Sequence, residues 1–432
     1  MVRLASVFSQ IKKRKILVIG DLLLDTYTIG KARRISPEAP VAVIHVQKEE
    51  RRAGGAGNVM LNLISMGAEV VAVGRIGNDF AGSYLRQSLI DEGIGACGIC
   101  VQHSFPTPVK NRILADNQQI VRIDHETVMP IDAACERQVL DLLPSLLDKI
   151  SIVAISDYGK GFLSKAILEK LIHLALKANI PVIADPKGTD FAKYRGATVI
   201  KPNLGEAYAA ANLPPDASLD DVAKQILAMA QAESLMITRS ESGISIFGKS
   251  GSRHDFPVKK REVKDVTGAG DTVLAMLACA MANGLPLTMA AQLSNVAAGI
   301  AIEHFGCARI TLSELACRLL DDDVGNKIFD HEHLFALQEA LKGRQSVMLS
   351  IREAQEFDSK IFKAIHQLAQ VKNRALLVHI SDPSPNEEFI TLLASLHDVK
   401  FIILQTGDVT NLSSLLNPEE THLFQNGLLR QL

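Results

Sequence analysis

Short, mainly apolar runs alternate with longer amphipathic segments along most of this chain. The runs lie at residues 16–19, 152–156, 182–184, 197–201 and 235–239, and polar or glycine residues follow each of them. Runs of this length are typical of buried strands, and most of the segments between them have helical periodicity. Strands that alternate with helices predict an α/β fold with a doubly wound, mostly parallel sheet.

Two further segments, 35–46 and 107–124, have the alternating pattern of solvent-facing strands. Pro37 and Pro40 lie in the first segment, and Asp116-Asn117 divides the second with residues typical of a hairpin turn. We expect these segments to form a small β lid that covers a substrate or pairs with another subunit.

The end of the chain repeats the α/β pattern on a smaller scale. Apolar strands at 345–350, 375–380 and 401–404 are separated by helical segments. We therefore expect two domains, 1–328 and 329–432, of which the second has a smaller Rossmann-like α/β fold.

The composition is that of an ordinary globular protein, with 47% hydrophobic and 22% charged residues among 432. A formal net charge of −2 and a pI near 6.6 provide no electrostatic footprint for a nucleic acid. The apolar run at 16–19 is too short for the core of a signal peptide, and no stretch of the sequence approaches a membrane span. We expect a cytoplasmic protein with no nucleic-acid or membrane partner.

The six cysteines are scattered, and only Cys97 and Cys100 form a C-x-x-C pair. A zinc site would need a second pair with comparable spacing. We therefore expect reduced, mostly buried thiols.

The most informative stretch is 265–271, D-V-T-G-A-G-D, because an apolar run follows it directly. Gly268, Ala269 and Gly270 allow a tight turn, and the run predicts a helix whose first N–H groups and positive dipole end face an anion. Asp271 would be unfavourable beside a phosphate unless it transferred a proton. We interpret it as a general base that deprotonates an attacking hydroxyl. The alternative is that Asp271 is only an N-cap.

Polar residues gather where the predicted strands end, which is the ligand-binding edge of open α/β sheets. Asp21 and Asp25 could accept hydrogen bonds from paired hydroxyls of a polyol, or could cap a turn. Gly54 and Gly55 permit close approach of a ligand to the backbone. Asn58, at the start of a predicted helix, can both donate to and accept from a sugar hydroxyl.

Several cations near the same edge are candidates for binding a phosphate group of the substrate. They are Arg33, Arg112, Lys160 and Lys187. Each could instead be an ordinary solvent-exposed charge.

Asn203 and Glu206 follow another predicted strand with the spacing N-x-x-E. They suit a water-mediated Mg²⁺ site, because this ion dehydrates reluctantly and keeps several of its waters. Taken alone, they would be a helix cap and a first-turn acid.

These motifs resemble signatures of the ribokinase or PfkB family of sugar kinases. Residues 265–271 are similar to the second signature, and residues 54–58 together with 74–79 are similar to the first. The resemblance implies a ribokinase-like fold, Asp271 as the base, magnesium at the N-x-x-E motif and a homodimer through the β lid. It also implies an ATP site that includes Asn203, Glu206, Thr238, Gly243, Gly268, Gly270 and Asn295.

The local sequence is more specific. Residues 20–25, 34–41, 117–119 and 157–161 are similar to the D-glycero-β-D-manno-heptose 7-phosphate kinase group, usually the N-terminal half of a bifunctional kinase and adenylyltransferase. This resemblance implies transfer of the γ-phosphoryl group of ATP, with Mg²⁺, to O1 of that sugar phosphate. The product, heptose 1,7-bisphosphate, belongs to the biosynthesis of ADP-heptose and of the lipopolysaccharide core.

Residues 329–432 are similar in position to the adenylyltransferase half but lack its H-x-G-H motif. His366 stands alone and is typical of a helix-surface or core histidine. We therefore expect a degenerate domain without adenylyl transfer, kept for structure, dimer contacts or another partner. Two alternatives for the protein stay open: a PfkB kinase for another sugar or sugar phosphate, and a catalytically idle sugar- or nucleotide-binding protein.

Overall fold

The structure is a computed structural model that describes residues 11–116, 118–258, 262–322, 327–330, 334–352, 357–370, 374–404 and 409–432. Asn117, part of the expected hairpin turn and of the heptose-kinase resemblance, lies outside these residues. The chain divides by compactness into a first unit, residues 12–310, and a second unit that contains residues 311–432. This division precedes the domain boundary at 328/329 that we expect from the sequence, which stays a prediction.

Strands and helices alternate along most of the first unit. Its strands are β1 (Lys15–Gly20), β2 (Leu22–Ile35), β3 (Ala42–Gly55), β4 (Glu69–Gly77), β5 (Gly95–Gln102), β6 (Val109–Ala115), β7 (Gln118–His125), β8 (Ile152–Ser156), β9 (Val182–Asp185), β10 (Val199–Ile200), β11 (Ser234–Thr238), β12 (Ile244–Gly248) and β13 (Arg253–Phe256). Its helices are α1 (Ala56–Ser65), α2 (Phe80–Asp91), α3 (Ala133–Leu146), α4 (Lys165–Lys177), α5 (Leu204–Ala211), α6 (Leu219–Ala230), α7 (Ala269–Ala282) and α8 (Leu287–Ala301).

The main sheet of this unit has nine strands in the order β13-β12-β11-β10-β9-β8-β1-β4-β5. The strands from β11 to β5 pair in parallel, whereas β12 and β13 run antiparallel at one edge. The predicted doubly wound, mostly parallel sheet is confirmed. The carboxyl ends of β1, β8, β9 and β10 lie side by side, and this edge is where such sheets bind ligands.

Helix α4 shows how the sequence forms these layers. Ser164 caps its first turn by accepting a hydrogen bond from the backbone N–H of Ile167. Its apolar residues recur every three or four positions, so Ile167, Leu168, Leu171 and Ile172 are buried on one face against the core of the main sheet. A change of Leu171 to alanine would leave a cavity there and cost about 2–5 kcal/mol.

A separate sheet of four strands, in the order β3-β2-β6-β7, forms the expected β lid. Strands β6 and β7 agree with the segment expected at 107–124. The other half is longer than expected, because β2 and β3 have 14 residues each and pair antiparallel, with residues 36–41 between them. The prolines therefore mark the turn, and the segment 35–46 spans that turn rather than a single strand.

The second unit contains another α/β layer structure. Its strands are β14 (Ile328–Asp330), β15 (Gln345–Ile351), β16 (Arg374–Ile380), β17 (Val399–Leu404), β18 (Glu420–Gln425) and β19 (Leu428–Gln431), and its helices are α9 (Leu312–Asp322), α10 (Leu334–Leu341), α11 (Ser359–Ala369), α12 (Glu387–Ser395) and α13 (Val409–Leu416). The sheet order is β14-β17-β16-β15-β18-β19, with only β19 antiparallel to its neighbour. The predicted smaller Rossmann-like fold is confirmed.

Within the described parts of both units, no helix has the length and apolar character needed to cross a lipid bilayer.

Candidate active site

Helix α7 begins in the D-V-T-G-A-G-D stretch. Gly268 precedes its first residue with φ of 77°, and no side chain caps this end of the helix. A β-carbon at Gly268 would lie 2.7 Å from Nδ2 of Asn58 and would also require a left-handed backbone that other residues rarely adopt. Ala269 and Gly270 form the first turn, and a β-carbon added to Gly270 would meet only open space. The first turn is therefore open on the side of Gly270, while the N–H of Ala269 donates to the carbonyl oxygen of Val266 at 3.3 Å. Binding of a phosphate by this turn stays a prediction.

Asp271 lies in the same turn, and its side chain is buried. One carboxylate oxygen, Oδ2, accepts a hydrogen bond from Nδ2 of Asn58 at 2.9 Å, and Oδ1 accepts one from the hydroxyl of Tyr158 at 2.6 Å. The alternative that Asp271 is an N-cap is wrong, because the helix starts two residues earlier and its N-cap is Gly268.

Burial raises the pKa of Asp271 to about 7, whereas the hydrogen bonds from Asn58 and Tyr158 act in the opposite direction. Asp185 also raises this pKa, and Lys201 lowers it. A carboxylate with a pKa near neutrality can both accept and release a proton under ordinary conditions. The electrostatic setting of Asp271 therefore suits a general base.

Asp21 follows β1, at the carboxyl edge of the main sheet. Its Oδ2 accepts hydrogen bonds from the backbone N–H groups of Tyr158 at 2.9 Å and Lys160 at 3.1 Å. Burial raises the pKa of Asp21, and the nearby charge of Asp157 adds to this effect. The residues after β8 thus hold both Asp21 and Asp271.

Asp25 belongs to strand β2 of the lid and does not cap a turn. Its Oδ1 forms a buried ion pair with Arg112 of the neighbouring strand β6, and the Sγ atom of Cys307 lies 3.4 Å from its Oδ2. A side chain at Gly54 would overlap Asp25, so the glycine allows this carboxylate to lie against β3. Gly55 ends that strand directly before α1.

Asn58 lies in the first turn of α1, which begins at Ala56, two residues before it. Its Oδ1 accepts a hydrogen bond from Nδ2 of Asn62 at 3.2 Å, while Oδ1 of Asn62 accepts one from the backbone N–H of Ile310 at 3.0 Å. These bonds orient the amide of Asn58 so that its Nδ2 faces Asp271. Direct contact between Asn58 and a sugar stays a prediction.

Three of the predicted phosphate-binding cations are paired with carboxylates. Lys160 lies 2.7 Å from Glu126, Lys187 lies 2.7 Å from Glu206, and Arg112 pairs with Asp25. Arg33, on β2, is exposed. The structure brings these cations to the lid and to the carboxyl edge of the sheet, and their contact with a substrate phosphate stays a prediction.

Asn203 and Glu206 form a capping box at the start of α5. Oδ1 of Asn203 accepts from the N–H of Glu206 at 2.9 Å, and Oε2 of Glu206 accepts from the N–H of Asn203 at 3.1 Å. The helix-cap interpretation is therefore correct. The second carboxylate oxygen of Glu206, Oε1, forms an ion pair with Lys187 at the edge of the sheet. A role in binding magnesium or a nucleotide stays a prediction.

The remaining residues of the predicted ATP site lie on neighbouring elements. Thr238 pairs with Asn203 in an isolated β-bridge, which brings the end of β11 beside α5. Gly243 follows a 3-10 turn at 240–242 and precedes β12. Nδ2 of Asn295, on α8, donates to the carbonyl oxygens of Phe256 at 3.1 Å and Pro257 at 3.2 Å. Their contact with a nucleotide stays a prediction.

Sequence reasoning missed three contributors to this site. Tyr158 contacts Asp271, and its motif D-Y-G-K-G was used only for the resemblance. Asp185, at the end of β9, forms an ion pair of 2.9 Å with the buried Lys201, which follows β10. Desolvation raises the pKa of Asp185 to about 6. Their position at two adjacent strand ends is a signal that could have identified them.

The cysteines and histidines of the described residues do not suggest a metal centre. No group of three or more metal-ligating side chains occurs there. Cys97 is exposed and Cys100 is buried, and neither forms a disulfide. His366 is exposed on α11, with Nδ1 3.4 Å from Asp398.

Residues 13–314 match the family described as pfkB family carbohydrate kinase. The bifunctional protein HldE of Trichlorobacter lovleyi is 44% identical over 348 residues, covering 79% of this chain and 71% of that protein. The bifunctional protein HldE of Geobacter sulfurreducens is 46% identical over 312 residues, covering 72% of this chain and 64% of that protein.

Solved structures of sugar kinases have the same fold. The ribokinase of Arabidopsis thaliana complexed with ribose and ATP superimposes with a TM-score of 0.56 at 18% identity, covering 71% of this chain and 99% of that one. The tetrameric inhibited form of phosphofructokinase-2 from Escherichia coli gives 0.56 at 20% identity, covering 68% and 95%. With the signature motifs, the edge carrying Asp21 and Asp271 and the match over residues 13–314, these likenesses lead to one conclusion: the chain belongs to the pfkB family of carbohydrate kinases.

Proposed function

We propose that this protein transfers the γ-phosphoryl group of ATP to O1 of D-glycero-β-D-manno-heptose 7-phosphate, giving heptose 1,7-bisphosphate for ADP-heptose and lipopolysaccharide core biosynthesis. The observation that carries the proposal is the buried Asp271, which two neutral donors hold in the first turn of α7 beside an open glycine turn. The identity to proteins named HldE, 44% and 46%, supports the choice of the heptose substrate.

In the proposed reaction, Asp271 accepts the proton of the O1 hydroxyl while O1 attacks the γ-phosphorus atom of ATP. The bond between that phosphorus and the β–γ bridging oxygen breaks, and ADP leaves. The N–H groups of residues 268–271 would stabilise the charge that gathers on the phosphoryl oxygens. The N–H of Ala269 would exchange its acceptor, the carbonyl oxygen of Val266, for the phosphoryl group. Positioning and electrostatic stabilisation provide most of the catalysis in such transfers.

Magnesium would neutralise part of the triphosphate charge in this reaction. Glu206 and Asn203 would hold it through water, since one carboxylate and one amide suit an ion that keeps most of its hydration shell. The capping box leaves Glu206 with Lys187 at the edge of the sheet, which is consistent with an outer-sphere role.

The sugar would lie between the main sheet and the lid. Asp21 would accept hydrogen bonds from its hydroxyls, and Asp25 would do so from the lid. The paired cations Arg112, Lys160 and Lys187 would exchange carboxylate partners for the distal phosphate, which carries more charge than a single carboxylate.

The substrate can be tested by measuring ADP release from the purified full chain with heptose 7-phosphate, ribose, fructose 6-phosphate or no sugar. We expect turnover with heptose 7-phosphate and a new phosphate ester at O1 by ³¹P nuclear magnetic resonance. Preferred turnover of another sugar would identify a different pfkB kinase. Binding of sugar or nucleotide without turnover would favour the idle binding protein.

We propose further that the second unit does not transfer an adenylyl group. The sequence lacks the H-x-G-H motif. In the first turns of α11, Ile361 and Ala364 are packed in the core of this unit. Incubation with ATP and heptose 1-phosphate should therefore release no pyrophosphate above background. Pyrophosphate release that increases in proportion to the protein concentration would contradict this proposal. It would mean that the chain also transfers an adenylyl group.

We also propose a cytoplasmic homodimer formed through the lid. All residues of β7 are exposed, including Ile120, Val121 and Ile123, which leaves apolar side chains on this sheet in contact with solvent. Light scattering should give twice the chain mass, and Val121→Glu should shift the mass toward the monomer. A monomer at all concentrations would contradict the dimer.

A further inference from the structure

Tyr158 links the two carboxylates on which the proposed reaction depends. Its backbone N–H donates to Oδ2 of Asp21 at 2.9 Å, and its hydroxyl donates to Oδ1 of Asp271 at 2.6 Å. Resting on the proposed function of Asp271, we propose that Tyr158 is a positioning residue: its hydroxyl keeps the base ionised and oriented, while its amide holds the sugar-binding carboxylate.

The backbone around Tyr158 is fixed from both sides. The N–H of Asp157 donates to the carbonyl of Asp185 at 3.1 Å, and Oδ2 of Asp157 accepts a hydrogen bond from the hydroxyl of Tyr194 at 2.6 Å. On the other side, Nη2 of the buried Arg75 donates to the carbonyl oxygen of Lys160 at 2.8 Å. The fold therefore holds the backbone that carries the phenol of Tyr158.

The second donor to Asp271 is equally constrained. The amide of Asn58 is oriented by Asn62, as described above, so its Nδ2 faces Oδ2 of Asp271. Each carboxylate oxygen thus accepts one hydrogen bond from a neutral group, and each keeps acceptor capacity for a substrate hydroxyl. This arrangement orients the carboxylate without adding a positive charge that would make it a weak base.

The protonation states agree with this role. Burial and the charge of Asp271 raise the pKa of Tyr158 well above its ordinary value, so the hydroxyl keeps its proton and remains a donor. The charged and titratable groups around Asp271, besides Tyr158, are Asp185 and Lys201 at the adjacent strand ends and the thiol of Cys307. The change Tyr158→Phe alters none of these three side chains, so its effect on the base reports the lost hydroxyl.

The test compares pH profiles of kcat/KM for the sugar in wild-type protein, Tyr158→Phe and Tyr208→Phe. Tyr208 is the matched control, because its hydroxyl donates to the carbonyl of Ala217 at 2.9 Å and does not contact Asp271. The acid limb of each profile is the range in which kcat/KM falls because the base becomes protonated. In Tyr158→Phe this limb should move to higher pH by about one unit, since a donor to the charged form of the base is lost. Tyr208→Phe should have its acid limb at the same pH as the wild-type protein.

The kinetic constants provide a second readout above about pH 9.5, more than one unit above the limb expected for Tyr158→Phe, where the base is ionised in every variant. A positioning role predicts a lower kcat for Tyr158→Phe with the sugar KM changed little, because the N–H bond to Asp21 is retained. Site-specific 3-fluorotyrosine at residue 158, a more acidic phenol that preserves the ring, should move the acid limb downward. This variant keeps the test open even if Tyr158→Phe folds poorly.

Two outcomes separate this inference from the proposed function. If Asp271→Asn retains wild-type turnover, Asp271 is not the base and both fail. If Asp271→Asn is inactive but neither change at Tyr158 moves the acid limb, only the inference about Tyr158 is overturned.

Discussion

Asp358 of the second unit and Asp271 of the first unit both lie near the beginning of a helix, and they have different partners. Asp358 is the N-cap of α11, and its Oδ1 accepts hydrogen bonds from the backbone N–H groups of Lys360 and Ile361. Asp271 lies inside the first turn of α7 and accepts hydrogen bonds from two side chains of distant elements. The same residue type therefore caps a helix at Asp358 and is held by side chains of distant elements at Asp271.

Buried polar residues also lie at different positions in the two parallel sheets. In the first unit, buried charged residues such as Asp21, Asp157 and Lys201 follow the strand ends, where a ligand can reach them. The buried polar pair Ser350 and His379 of the second unit lies within strands β15 and β16, with Oγ 3.0 Å from Nδ1. A parallel sheet thus provides a location for a site, and the side chains at its edge decide whether chemistry occurs there.

The largest effect should come from exchanging the two aspartates for asparagine. Asp271→Asn removes the proposed base and should lower kcat by roughly 10²–10⁴-fold while sugar binding is largely kept. Asp358→Asn should leave kcat unchanged, because asparagine also serves as an N-cap. Steady-state kinetics and sugar titration calorimetry measure both. Equal turnover in the two variants would remove Asp271 as the base.

The pH profile of the wild-type protein should sharpen this difference. Only the ionised form of Asp271 accepts a proton. We therefore expect kcat/KM to rise tenfold per pH unit at low pH and to level off near pH 7, the value to which burial raises the pKa of Asp271. Asp358→Asn should show the same limb. An acid limb near pH 4 in the wild-type protein would mean that a solvated carboxylate is the base.

The caps of α5 and α12 provide a comparison with a smaller expected effect. Asn203 and Asn386 are both N-caps that accept a hydrogen bond from the backbone, so Asn203→Ala and Asn386→Ala should each cost about 0.5–2 kcal/mol of stability. If Asn203 also holds magnesium through water, only its variant should raise the KM for MgATP. An unchanged KM would leave Asn203 with a capping role alone.

The last effect concerns the pH dependence of stability. The pKa of Asp271 is about 7 in the folded protein and near 3.8 when unfolded, so between these values the folded state binds a proton that the unfolded state lacks. This contribution to the free energy of unfolding is full below about pH 4 and is lost as the pH rises through 7. The melting temperature of Asp271→Asn relative to wild type should therefore increase from pH 5 to pH 8. A constant difference would mean that Asp271 is not shifted.

The linear sequence contained enough information for the layer structure and for the candidate base. Buried strands such as 16–19 and 152–156 are readable because parallel strands bury both faces and become short apolar runs. The glycines before Asp271 predict a tight turn ahead of a helix, because few other residue types can adopt the backbone conformation of such a turn. The sequence does not predict strand β2, because basic residues and Gly30 interrupt its alternation of apolar and polar positions. The prolines favoured a strand at 35–46, where the structure has the turn after β2.

What the sequence alone determined is the order of most elements, the presence of a lid and the position of an acid in the first turn of α7, since each depends on residues close together in the chain. Only the tertiary structure decided which groups surround that acid: Asn58 and Tyr158 lie 213 and 113 residues away from Asp271. The physical reason is that hydrogen bonding and burial depend on distances in space, and the fold of the main sheet brings these distant residues to one edge.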